Sequence, residues 1–309
     1  MKKFIILLFI VLIGMKVNAQ AVKTDTIFPY KIIGNRSERT VLSGNTTVPF
    51  NFVSKTIDDV LQKAIQNKDK VSVTYDPATL AIKRVRSVRL NDLQSFVFKH
   101  RKLAIGNFRF NKLESFSKNE SDFTKALRAT QPALTQVIPP GQIDSIFKYF
   151  QSLSCTNVDH CDRQNPCISY DYKIDGCYAR AHMMRKILDE KYHFDCQKIF
   201  VEGRLRAINS GTCGGSCVKW GWHVAVYVQT LDASGQQIGL VIDPSLFDKA
   251  CSIDDWAKAQ GMACCTTCQA GAPGIPYLKP SYVYTPNGST DDDYSGTYQT
   301  LYNYCRECH

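Results

Sequence analysis

All thirteen cysteines of this chain lie at or beyond Cys155, at positions 155, 161, 167, 177, 196, 213, 217, 251, 264, 265, 268, 305 and 308. This one-sided distribution constrains the fold more than any other feature. No residue before position 155 can form a disulfide, so the chain divides into a cysteine-free part and a cysteine-rich part. Cysteine usage on this scale belongs to an oxidising compartment, where disulfides persist. With 309 residues, 44% hydrophobic and 11% aromatic, the chain is long enough for two domains with real cores, which excludes wholesale disorder. Thirteen is odd: if twelve cysteines pair as six disulfides, one thiol is left over, and parity does not say which.

The first residues agree with export. Lys2 and Lys3 form a positive start, Phe4 to Ile13 an apolar run, and Val17-Asn18-Ala19 places small residues at a cleavage site. Residues 1–19 are therefore expected to be a signal peptide, and the product to be secreted, either periplasmic or extracellular. The ten-residue apolar run is too short to cross a bilayer, so no membrane association is expected after cleavage.

Charge follows the same division as cysteine. Residues 1–133 hold 23 Lys/Arg against 10 Asp/Glu, and residues 134–309 hold 15 against 18. Opposite net charges favour docking of the two parts, so the overall +10 does not require a nucleic-acid partner, and no reader motif for one is present. The seam falls between Thr130 and Gly141, where prolines and small polar residues read as a protease-accessible linker. Residues 20–133 are expected to be a small α+β propeptide or accessory domain. They include a helix over 56–66, strands at Val71 to Tyr75 and Ala81 to Leu90, and a second helix from Asn91 to Lys99. Residues 134–309 form the second domain, opening with a helix from Gln142 to Leu153.

The chemistry concentrates in three segments. In DGCYARAHMMRKIL, Asp175 or Gly176 caps a helix whose first turn contains Cys177, and a helix N-terminus favours the nucleophilic thiolate. A structural half-cystine is the competing reading at that position. In WGWHVAVYV and VIDPSLF, two β-rich runs over 222–230 and 238–243 flank the turn residues Asp232-Ala233-Ser234-Gly235. A hairpin centred near Ala233 and Ser234 sets His223 opposite or nearly opposite Asp243. A carboxylate there fixes the imidazole tautomer and leaves the other ring nitrogen for a thiol. A one-residue slip would separate the pair, and Asp243 before Pro244 also suits a strand-ending turn. Cysteine on a helix start, then histidine, then aspartate on successive strands is the chain order of papain-like and transglutaminase-like thiol enzymes.

These three segments, in this order and spacing, resemble the signature segments of the bacterial protein-glutaminase family, secreted protein-glutamine deamidases made as prepro-proteins; LTQVIPP resembles the start of their mature enzymes. The resemblance implies an α+β, papain/transglutaminase-like catalytic domain over 134–309, its antiparallel sheet packed on the helix that carries the nucleophile. It puts the nucleophile at Cys177, the base at His223 and its carboxylate at Asp243. It further implies hydrolysis of glutamine side-chain amides in proteins or peptides without metal or organic cofactor, an inhibitory prodomain over 20–133, and an activating protease. The resemblance fades after Phe247, and GTCGGSCVKW is longer than the matching family loop. A transglutaminase or cysteine protease would use the same triad, and a disulfide-rich binding module would use none of it.

Other features carry bland readings beside sharper ones. Cys305-Arg-Glu-Cys308-His309 matches a haem-attachment pattern, but two half-cystines suit the chain end better. Cys264, Cys265 and Cys268 are expected in disulfides rather than on zinc. His182 reads as structural, and Asp291 to Asp293 as a solvated acidic loop rather than a calcium site. Trp220 and Trp222 either line a cleft or join the core on the face away from His223.

Overall fold

The computed structural model describes residues 22–35, 38–88, 136–208, 213, 217–264 and 269–309. The expected signal peptide, the expected helix over 91–99, and most of the expected linker lie outside the described residues. None of the described helices is long and apolar enough to cross a membrane, which leaves β-barrels unaddressed.

The described residues before the linker form six strands and one helix. Strands β1 (Lys23–Ile27), β5 (Val71–Tyr75) and β6 (Ile82–Ser87) form one antiparallel sheet in the order β1-β5-β6. Strands β2 (Pro29–Asn35), β3 (Glu38–Ser43) and β4 (Thr46–Phe52) form a second, in chain order. Helix α1 (Lys55–Asn67) buries Ile57, Leu61 and Ala64, three positions on one helical stripe. It ends at Lys68 in the left-handed region, where the amides of Lys68 and Asp69 return to the carbonyls of Ile65 and Ala64. Ile27, Val41, Phe50, Leu61, Val71 and Val73 close the core of this part.

The second part begins on Ile138, whose amide and carbonyl bond to Gln229 and Thr230. Helix α2 (Pro140–Ser152) starts inside the expected linker because proline at the first helical position is already set in helical φ. Helix α3 (Cys177–Ile187) follows, buried on every side from Cys177 to Met184. Then come the long strands β7 (Gln197–Ile208) and β8 (Cys217–Leu231), strand β9 (Gln237–Ile242), helix α4 (Ile253–Ala259), strands β10 (Ala272–Pro273) and β11 (Tyr277–Pro280), and helix α5 (Ser295–Cys308). The sheet runs β10-β7-β8-β9, with β11 also on β7, and all its pairings are antiparallel.

One face of that sheet, with Phe200, Trp222, Val224, Val226 and Val228, packs on α2, α3 and α5. The other face, with Ile199, Val201, Leu205, Trp220, Ala225 and Val241, packs on Trp256 of α4. Fully burying side chains of this size contributes about 1.5–3 kcal/mol each, so the two layers carry most of the stabilisation. Four disulfides are formed among the described residues: Cys155–Cys167, Cys161–Cys305, Cys213–Cys308 and Cys217–Cys264. Cys177, Cys196 and Cys251 are free and buried among the described residues. With Cys196 and Cys251 unbridged beside Cys177, the condition that twelve cysteines pair as six disulfides is not met.

Candidate active site

Cys177 is the first residue of α3 and is 2% exposed. The turn before it is built around Gly176, at φ +81°, where an added Cβ would lie 2.6 Å from the Tyr304 ring. The turn is held from below by the buried Arg180, whose Nη1 donates to the carbonyls of Tyr172 at 2.7 Å and Asp175 at 2.8 Å. Arg180 brings positive charge beneath the helix start, adding to the unsatisfied first-turn amides. Burial nevertheless dominates: it pushes the Cys177 thiol well up from its ordinary value, against the lowering effect of Arg180 and of a hydrogen bond with the Val224 main chain. In this covered state the side chain is a thiol. Its contact with Val224 sets it beside the residue that follows His223.

His223 and Asp243 are brought together. Asp243 is an acceptor only, so the 2.8 Å contact is His223 Nε2–H donating to Oδ2. The remaining ring nitrogen, Nδ1, is buried without a hydrogen-bond partner in the structure. The imidazole lies between two indoles, stacked on Trp220 at 4.6 Å and on Trp256 at 5.6 Å. Trp256 Nε1 donates to the same carboxylate oxygen at 2.9 Å, and the amide and hydroxyl of Ser245 donate to Oδ1. Burial alone would raise the Asp243 pKa, but the His223 charge and the bonds from His223, Ser245 and Trp256 outweigh it and hold the group down at about 2.

The route by which His223 meets Asp243 differs from the expected one. Val226 pairs with Ile242 and Leu231 with Gln237, so Asp243 falls opposite Ala225, and His223 reaches it diagonally. The two side chains still share a face because the displacement is two residues from a direct pairing. Trp220 also departs from simple alternation. The β7–β8 register shifts by one between Glu202↔Trp222 and Leu205↔Trp220, which brings Trp220 onto the His223 face while Trp222 stays on the other.

An inhibitory N-terminal unit was expected from the sequence, but not which of its elements lies over the site. The turn joining β3 to β4 sits on the start of α3. Trp222 Nε1 donates to the main-chain carbonyls of Ser43 at 2.9 Å and Thr46 at 3.1 Å. The Asp175 carboxylate accepts from the Thr47 amide and hydroxyl, the Thr46 hydroxyl and the Tyr304 hydroxyl. Leu42 approaches Gly221 so closely that an added Cβ there would meet it at 2.5 Å. Nothing in the local sequence of either part announces this long-range fit.

The remaining candidates take structural positions. His182 is buried, with Lys198 Nζ at 2.7 Å from Nδ1 and the Asp291 carbonyl at 3.1 Å from Nε2. Asp291 and Asp293 accept from Gly296, Thr297 and Ser295 at the start of α5, so this acidic stretch organises a helix end. Cys305 and Cys308 are disulfide-bonded to Cys161 and Cys213, which is incompatible with haem attachment. Cys264 is bonded to Cys217, while Cys265 and Cys268 lie outside the described residues. The sulfurs of Cys155, Cys167 and Cys305 lie close together, but each is held in a disulfide and offers no thiolate to a metal.

The family model described as Glutaminase matches residues 143–260, a span that contains Cys177, His223 and Asp243. A crystal structure of a mutant of pro-protein-glutaminase aligns over 94% of this chain and 95% of its own, with 25% identity and a TM-score of 0.66. The chain belongs to the protein-glutaminase family. It is thus an amide-hydrolysing enzyme of the deamidase type. A second crystal structure of pro-protein-glutaminase aligns over 93% of this chain and 94% of its own, at 24% identity and a TM-score of 0.63. One of protein-glutaminase covers 57% of this chain and 92% of its own, at 33% identity and a TM-score of 0.48. A search of curated proteins by sequence found no match.

Proposed function

We propose that this chain is a secreted zymogen whose matured domain deamidates glutamine side chains in proteins and peptides, with Cys177 as nucleophile, His223 as base and Asp243 as its orienting carboxylate. The carrying observation is that a helix-start thiol lies against the strand of a histidine whose Nε2 is held by a buried carboxylate and whose Nδ1 has no partner. Nδ1 takes the thiol proton, and the thiolate attacks the carboxamide carbon. First-turn amides of α3 are the available donors for the oxyanion. Collapse of the tetrahedral adduct breaks the C–N bond, and His223 returns the proton to the leaving ammonia. A water activated by the same ring then hydrolyses the thioester, giving glutamate and the free thiol.

Residues 1–19 serve as signal peptide, 20–133 as prodomain and 134–309 as mature enzyme. The β3–β4 turn supports this division, because it covers the helix start from a unit without any disulfide to the rest. A substrate chain takes its place once a protease cuts the connection. Main-chain partners at Trp222 and Asp175 favour a polypeptide substrate over a free amino acid, since the contacts are with peptide carbonyls and an amide.

The test is ammonia release from an unfolded protein substrate by the full chain after limited proteolysis, with mass spectrometry of the product and Cys177→Ala as control. Amide-to-acid conversion confined to glutamine, absent in the control, is expected. New chain termini would mean a protease, cross-links a transglutaminase, and an unchanged substrate a binding module.

A further inference from the structure

Glu202 lies on β7 opposite Trp222, the residue whose indole grips the covering turn and which immediately precedes His223. Across an antiparallel pair, Cα atoms are about 4.5–5.5 Å apart, so this carboxylate stands next to the place where the covering chain, and a substrate replacing it, must pass. Both of its oxygens are engaged. The Tyr277 hydroxyl, from the neighbouring strand β11, donates to Oε1 and fixes the carboxylate. Lys31 of the N-terminal part lays its ammonium 2.7 Å from Oε2. Lys31 pairs with Leu42 in the β2–β3 ladder, next to Ser43, so the ammonium arrives beside the covering turn. In the full chain the carboxylate is thus supplied with a cation by the same segment that covers the thiol.

Removing residues before the linker takes away Lys31 but leaves Glu202 and Tyr277 in place. Two other cations, Lys279 and Arg204, lie near the carboxylate, and Lys279 is attracted by its charge. Lys279 is also drawn to the Pro286 carbonyl. Arg204 loses its partner Glu38 with the same segment, but Glu38 sits at the far end of the β2–β3 hairpin, about 13 Å of strand from Lys31, so the cation it answered lies away from the place that Lys31 leaves. We propose that Glu202, held by Tyr277, is a specificity-determining residue that favours glutamines with a lysine or arginine nearby in the substrate chain. This rests on the deamidase reading above.

The experiment uses the full chain activated by limited proteolysis and three peptides identical except for one residue near a single glutamine: lysine, norleucine or glutamate. Ammonia release gives kcat/KM for each. A surface-accessible pair of this kind sets a modest scale, so the lysine peptide should exceed the norleucine peptide by roughly three- to fivefold at low salt, with glutamate below both. The ratio should shrink at high ionic strength. In Glu202→Gln the lysine-to-norleucine ratio should fall to near one, and in Glu202→Lys it should invert. Because the readout is a ratio within one enzyme, a general loss of activity does not mimic it. Equal rates in the wild type, or a preference that persists in Glu202→Gln, would overturn the assignment while leaving the deamidase reading intact. Absence of ammonia from every peptide would overturn both.

Discussion

Asp243 illustrates how much a single buried carboxylate depends on its donors. It accepts from His223, Trp256 and both polar groups of Ser245, so its ionised form is stabilised inside the protein. Its folded pKa of about 2 lies below the ordinary 3.8. A depressed carboxylate contributes stability that is fully present above its unfolded pKa and disappears as pH falls through the folded one. The window is therefore about pH 4 to pH 2, and the shift corresponds to about 2 kcal/mol. Thermal unfolding measured across this window should show a steep fall for the wild type and a shallower one for Asp243→Asn. The same variant should lose about 10³–10⁴ in deamidation rate, because an amide no longer holds His223 with Nδ1 free for the thiol. Retention of near wild-type activity would remove Asp243 from the proposed triad.

At the level of elements, the start of α3 and the β8–β9 hairpin were readable because their signals are local. Asp175-Gly176-Cys177 announces a capped helix, and Asp232 to Gly235 announces a turn; both form where expected, with Asp232 accepting the amides of Ser234 and Gln236. What was not readable depends on distant chain. The bulge that moves Trp220 onto His223 sits where β10 lies against Gly203, some seventy residues away in sequence. The disulfide pairs join segments as far apart as Cys161 and Cys305, and only their approach in space selects them. Gly176 combines local and distant demands: a left-handed φ, and a Tyr304 ring from α5 where a side chain would go. Gly176→Ala should therefore cost about 1–3 kcal/mol, visible as a lowered melting temperature, and should disturb the cradle of Cys177 more than any exposed substitution on α3. An unchanged melting temperature would mean that the turn adapts without the glycine.

For the molecule as a whole, charge asymmetry suggested that the basic N-terminal part and the acidic remainder attract each other. The contacts describe a different balance. Among the described residues Lys31 pairs with Glu202 and Glu38 with Arg204 across the two parts, and the second pair runs against the net charges. Both are accessible to water, and such pairs contribute about 0–1 kcal/mol each. The turn over Cys177 is held instead by hydrogen bonds through Trp222 and Asp175, in surroundings where a polar group left unpaired costs about 1–3 kcal/mol. Screening should remove the first contribution and leave the second nearly intact. Alkylation of Cys177 by iodoacetamide, followed by mass spectrometry, separates the two. In the uncut chain it should be slow at low salt and equally slow in 1 M sodium chloride, whereas cleavage within residues 89–135 should accelerate it many-fold. Trp222→Phe, which withdraws the donor to Ser43 and Thr46, should expose the thiol in the uncut chain where salt does not. Rapid alkylation of the wild type in high salt alone would mean that electrostatic attraction, rather than the seated turn, keeps the site covered.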